Sequence, residues 1–278
     1  MKTFDALFRL VKKFYGALGN GANGGKLHVY PDDVFLVGYP KSGNTWLDVL
    51  VACMRAERPE DVNFESIETC VADIYFNNAK KLQGLVRPRY LKSHEPFDAR
   101  YPKVVYIVRD PRAVAVSYYH YLIGLGKIEE DYPLNQFVPE FIRGDVDGLG
   151  VWGGHVRGWL DAHRRNPDRV MIVKYEDLKM EVVKTLADIA AFLDIPASGE
   201  KIQAAIAWSK PENMRRLELK SRKEGHAGFS GFREGSFFVR KASSSDWKLE
   251  LGDLLDAQIV AVWGDVMRDL GYVNDQVL

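Results

Sequence analysis

The chain has 278 residues, 46% hydrophobic and 27% charged, which suits one large α/β domain of an ordinary globular protein. Lys plus Arg equals Asp plus Glu at 38 each, so net charge gives no argument for nucleic acid or an anionic membrane as partner. The two cysteines, Cys53 and Cys70, have no metal-ligand spacing and make no disulfide framework, so free thiols in a reducing, cytoplasmic setting are expected.

In chain order, MKTFDALFRLVKKFYGAL comes first. Phe4, Leu7, Phe8, Val11, Phe14, Tyr15 and Leu18 share one face at helical spacing, which predicts an amphipathic helix over 1–18. Its apolar face is read as packing on the main domain, with membrane-surface contact or a lid as alternatives. Lys12 and Lys13 break what would be the apolar core of a signal peptide, and no apolar run approaches the roughly 20 residues of a membrane span. GNGANGG, residues 19–25, reads as a flexible tether, and the domain is expected over 26–278.

Beyond the tether, strands are expected over 34–38, 90–93, 104–108 and 170–174. Helices are expected over 44–58, 112–122, 134–143, 151–165, 180–193, 201–207 and 252–270. Val- and Ile-rich strands alternating with helices predict a single α/β domain with a central parallel sheet flanked by helices. Residues 220–245, rich in Gly, Ser and basic side chains, read as a long loop.

Three segments fall at strand carboxyl ends, where such sheets bind ligands. GYPKSGNTW (38–46) follows a strand and opens a helix, so an anion is expected at its backbone N–H groups. It is P-loop-like, but Asn44 stands where a phosphotransferase keeps its lysine, and the cation has moved to Lys41. Ser42 and Thr45 add hydroxyls. In YLKSHEP, Lys92 and His94 are two apart on one strand face, which suits an anion stabiliser beside a general base. In VVYIVRDPRAVAVSYYHY, Asp110 can N-cap a helix with Pro111 at its first position, and Arg109 and Ser117 are placed to grip a second phosphate. His155 is a weaker second candidate for the base. The other histidines carry no such signal.

Together these segments resemble the cytosolic sulfotransferases, which use 3′-phosphoadenosine-5′-phosphosulfate (PAPS). YPKSGNTW is similar to the family's YPKSGTTW, YIVRDPRAVAVSYYH to its 3′-phosphate segment, and KSH to its Lys-x-His. KYEDL is similar to its Tyr-Glu-Asp-Leu stretch, and FFVRK with SDWK to its RKG…GDWK loop. The five motifs run in the family's order from Asp33 to Lys248.

The resemblance implies that Lys41 contacts the phosphosulfate and stabilises the leaving phosphate. It implies Ser42, Gly43, Asn44 and Thr45 around the 5′-phosphate and Trp46 stacked on adenine. Arg109, Ser117, Arg240, Lys241 and Ala242 would hold the 3′-phosphate, while Tyr175 and Ser209 would lie at the adenine end. His94 would be the base, with Lys92 near the sulfonate. No metal is implied, and adenosine 3′,5′-bisphosphate (PAP) is the expected product. The implied acceptor is a small molecule with a phenolic or alcoholic hydroxyl, an amine being the alternative.

This chain departs from the pattern at three places. AWSKPENMRRLE replaces the adenine segment, so Lys210 or Pro211 competes with Ser209 for the contact. Ala242 and Ser245 replace glycines. WKLELGDLLDAQ replaces the family's dimer segment, so the sequence sets no oligomeric state. The rival reading is a nucleotide kinase on the same P-loop scaffold, against which Asn44 counts; a non-catalytic binding module is the other.

Overall fold

Five parallel strands form the centre of the molecule, in a computed structural model that describes residues 27–146, 148–226, 231–239 and 247–274. They are β1 (Val34–Val37), β2 (Ala72–Asp73), β3 (Tyr90–Ser93), β4 (Lys103–Val108) and β5 (Val170–Lys174), ordered β2-β3-β1-β4-β5. The helix expected over 1–18, its tether, and Arg240, Lys241 and Ala242 lie outside the described residues.

Successive strand side chains go to opposite faces. Phe35, Val37, Leu91, Val104, Tyr106 and Val108 join one apolar cluster, while Val34, Leu36, Val105 and Ile107 join another. Burial on both faces explains why these strands read as continuous apolar runs. The helix after β1, Asn44–Arg55, buries Leu47 and Leu50 in the second cluster. The helix after β4, Pro111–Gly124, buries Val114 and Tyr118 in the first. Neighbouring strands thus send their chains to opposite sides, and a crevice opens at their carboxyl ends.

The expected strands are all present, and most expected helices match within two or three residues. The helix expected over 252–270 instead runs Trp247–Asp269, broken at Gly252, whose φ of 68° is non-helical. The helix expected over 44–58 stops at Arg55, because Ala56 is extended and Pro59 opens a short 3-10 turn. Four helices and strand β2 were not expected. Phe64–Cys70, Ala79–Gln83 and Tyr175–Met180 are too short to show a period. The fourth, Pro211–Lys223, is too charged to advertise its buried face of Met214, Leu217 and Glu218. The loop expected from residue 220 therefore begins after Lys223.

One buried ion pair ties the starts of β1 and β3 together. Arg89 donates from Nε to Asp33 Oδ1 at 2.8 Å and pairs through Nη2 with Asp33 Oδ2. Its remaining bonds go to the carbonyls of Leu82 and His28, at 3.0 and 2.8 Å. Both side chains are fully buried. Arg89→Met should cost about 3–5 kcal/mol, because Asp33 is left as an uncompensated buried charge. The urea midpoint should fall with an unchanged m-value.

Candidate active site

The loop after β1 turns on two backbone positions with positive φ, Lys41 at 69° and Gly43 at 105°. A Cβ on Gly43 would lie 2.6 Å from the Tyr175 ring, so only glycine lets this loop pack against the helix after β5. Asn44, in the place of the kinase lysine, is turned inward and donates from Nδ2 to the Tyr39 carbonyl at 3.0 Å. Ser42 Oγ and Asn44 Oδ1 are buried without partners among the described residues.

The loop borders a cavity of about 450 Å³ at the strand ends. Lys41, Gly43, Asn44, Thr45 and Trp46 line it from the first loop. Lys92 and His94 line it from β3, Arg109 and Ser117 from beyond β4, and Tyr175 and Ser209 from further along the chain. Of the described residues expected at the site, only Ser42 is not part of this wall.

His94 is 9% exposed, and its Nδ1 lies 2.7 Å from the Gly38 carbonyl. A carbonyl can only accept, so Nδ1 carries the proton and Nε2 keeps the lone pair. Burial and the nearby Lys92 charge push the His94 pKa down to about 3, so the ring is neutral at pH 7. His155 stands behind it. Its Nε2 donates to the His94 carbonyl at 3.0 Å, and its Nδ1 meets the Tyr106 hydroxyl at 2.9 Å. With both nitrogens engaged and burial lowering its pKa to about 4, His155 supports the site as a neutral ring and offers no free base.

Lys41 Nζ sits between two rings, 3.8 Å from the Tyr121 centroid and 4.0 Å from that of Phe238. Burial, then the Lys92 and Arg109 charges, lower its pKa to about 7. Lys92 behaves in the opposite way. Burial works against its charge, but Asp73 and Asp48 outweigh it and hold the ammonium above its usual range. Arg109 donates to the Lys41 carbonyl at 3.2 Å and lies over the Tyr175 ring at 4.4 Å.

Trp46 contacts both Ser209 and Tyr175 in the cavity wall. Trp46 Nε1 donates to Ser209 Oγ at 3.2 Å, and the Trp46 and Tyr175 rings lie edge to face at 5.7 Å. Among the competitors for this position, Ser209 is therefore the residue bonded to Trp46.

Residues 31–271 match the model of the sulfotransferase domain. The chain belongs to the sulfotransferase family. It is 28% identical over 250 residues to an amine sulfotransferase of Oryctolagus cuniculus, covering 86% of this chain and 81% of the relative. It is 27% identical to sulfotransferase 1E1 of Mus musculus over 253 residues, covering 86% and 84%. Among solved structures, a mouse sulfotransferase complexed with PAP superposes with a TM-score of 0.72 at 24% identity, covering 94% of this chain and 91% of that one. Retinol dehydratase in a complex with retinol and PAP gives 0.73 at 22%, covering 92% and 86%. These likenesses show the fold.

Several residues of this sulfotransferase's site carried no motif. Asp48 and Asp73 hold Lys92 at 3.6 and 3.4 Å. Glu218, 0% exposed, accepts from the backbone N–H of Phe238 at 2.7 Å and of Val239 at 3.3 Å, and pairs with Arg222. Arg215 donates to the Val239 carbonyl at 2.9 Å. This buried carboxylate and its neighbour thus fix the backbone that presents Phe238 to Lys41. The signal was a lone Glu amid MRRLELKSRK, which reads as one charge among many.

Gly43→Ala should destabilise the fold by about 1–3 kcal/mol from its positive φ alone, with the Tyr175 overlap adding to that. Chemical denaturation of Gly43→Ala, Tyr175→Ala and the double variant checks this. The double variant should lose less than the sum of the singles, because truncating the ring removes the overlap but not the strain.

Proposed function

We propose that this sulfotransferase takes PAPS as donor and places the sulfonate on a hydroxyl of a small-molecule acceptor, a phenol or an alcohol. An amine is the alternative nucleophile. The observation that carries this reading is the Nδ1–H bond of His94 to Gly38, which leaves an unprotonated Nε2 on a neutral ring beside the phosphate loop.

The site fits an anionic nucleotide. Burial first, and then the Lys92 and Arg109 charges, depress Lys41, and a bound anion relieves both. Ser42, Gly43, Asn44 and Thr45 would hold the 5′-phosphate, where the orphaned Ser42 Oγ supplies a donor. Arg109 and Ser117, with Arg240, Lys241 and Ala242, would hold the 3′-phosphate. Trp46, Tyr175 and Ser209 would flank the adenine. When bound, PAPS supplies an activated sulfonate whose leaving group is a nucleoside bisphosphate.

The chain's own residues do the rest. His94 Nε2 takes the acceptor's proton as the hydroxyl attacks. Lys41 puts positive charge where the departing phosphate oxygen gains negative charge. Lys92 adds charge near the sulfonate, tempered by its two carboxylates. The loop and base are held by one hydrogen bond, so their spacing is set before the reactants arrive.

Cys53 and Cys70 are free, which supports a cytoplasmic setting. No described helix is long and apolar enough to cross a membrane.

The function is tested by screening phenols, aliphatic alcohols and amines with ³⁵S-labelled PAPS, with and without EDTA. Label transfer that survives EDTA is expected; turnover only with ATP and Mg²⁺ would favour the kinase. His94→Ala should cut kcat by about 10²–10⁴-fold while the Kd for PAP stays within a few-fold. Near-normal kcat would remove His94 from the role of base.

Lys41 also makes nucleotide binding pH-dependent. Its pKa is about 7 in the free protein and rises when an anion binds, so a proton is taken up above that pH. PAP affinity should therefore fall as pH rises above about 7, and stay level in this respect below it. Calorimetry in buffers of different ionisation enthalpy reads the proton directly, and Lys41→Met should abolish the uptake.

A further inference from the structure

Asn44 reaches the phosphate cradle through its backbone. It is the first residue of the helix Asn44–Arg55, so its N–H is one of the open donors at the helix start. Its side chain is engaged with the protein instead. The residue is 6% exposed, Nδ2 donates to the Tyr39 carbonyl at 3.0 Å, and Oδ1 is buried without a hydrogen-bond partner among the described residues. Neither polar atom of the amide is open to a ligand.

The amide touches both ends of one peptide unit. A Cβ on Gly38 would overlap Asn44 Oδ1, so the amide oxygen fills the space where a side chain at 38 would go. Two atoms of Ile107 lie 2.7 Å from the same point and close it from β4. At the other end, the Nδ2 bond holds the carbonyl of Tyr39, which also accepts from the Ser42 N–H at 3.2 Å. Between these two holds lies the peptide from Gly38 to Tyr39. Its carbonyl is the one that accepts the Nδ1–H of His94 at 2.7 Å. A glycine does little to restrict its own rotation, so the direction of that carbonyl depends on what packs around it. A threonine, the residue at this position in YPKSGTTW, carries its hydroxyl one bond closer to the backbone and has no amide to span both groups.

We propose that Asn44 is a positioning residue for His94: its side-chain amide fixes the peptide from Gly38 to Tyr39, and through the Gly38 carbonyl it holds the imidazole in the tautomer with Nε2 free. The departure from threonine thus serves the base, while the phosphate keeps the backbone N–H. The effect on turnover rests on the reading of His94 as base; the effect on the tautomer does not.

Nitrogen-15 NMR of labelled histidine reads the tautomer in the free protein, with the His94 signal assigned by its absence from His94→Gln. The natural sequence should show one form, protonated on Nδ1. Asn44→Ala should show the two tautomers in exchange. Asn44→Thr should do the same, and serves if the alanine variant does not fold. With labelled PAPS and a phenol, Asn44→Ala should lower kcat by about 10–10²-fold, as a small misplacement of the base predicts. The Kd for PAP should stay within a few-fold, because the side chain does not touch the phosphate. In a His94→Ala background the same substitution should change the residual kcat by less than about twofold, since its effect passes through the base. An unchanged tautomer in the folded variants, additive losses with His94→Ala, or a preserved kcat, with or without a rise in the Kd for PAP, would each overturn the proposal. If PAPS labels no acceptor, the proposed reaction fails, and the histidine spectrum alone decides whether Asn44 positions the ring.

Discussion

The hydrogen bond from His94 to the Gly38 carbonyl joins the two halves of this site. Gly38 is the first residue after β1, and His94 is the first after β3, the strand paired with it. A Cβ on Gly38 would fall 2.7 Å from the Ile107 carbonyl, so the backbone there is pressed against β4 as well. The bond therefore places the imidazole relative to the phosphate loop and selects its tautomer, while burial and the Lys92 charge keep the ring neutral. Arg89 and Asp33 perform the matching task at the opposite ends of the same two strands. Register between β1 and β3 is thus pinned at both ends, and the site inherits its geometry from that pairing.

Charge in the cavity is arranged in opposed pairs of effects. Lys41 and Lys92 are both buried lysines, and they are driven in opposite directions. Lys41 faces rings and other cations, so burial wins. Lys92 faces carboxylates, so its charge is retained. The difference comes from neighbours contributed by separate helices and a two-residue strand, not from the lysines themselves.

That contrast also explains what was legible beforehand. The sheet could be read because each strand is apolar on both faces, and the loop could be read because glycine, lysine and hydroxyls at fixed spacing have few other uses. His94 and Lys92 followed from the two-residue repeat of a strand. Asp48 could not be recognised, because an acid in the first turns of a helix is ordinary until the fold turns it toward Lys92. Glu218 and Arg215 were hidden for a similar reason, since their helix is mostly charged and its buried stripe is narrow. His155 was noticed as a candidate base, but only its two bonds show that it braces the other histidine.

The position of Lys41 has a chemical consequence. With its amine partly unprotonated near pH 7, it is a better nucleophile there than an ordinary surface lysine, whose pKa is roughly 10.4. Acylating reagents and reactive aldehydes small enough to enter the cavity will find their target at the phosphate loop. A bound anion that restores the charge would also shield it, so the same substitution of ring faces for a counter-ion that readies the loop leaves it open to covalent damage.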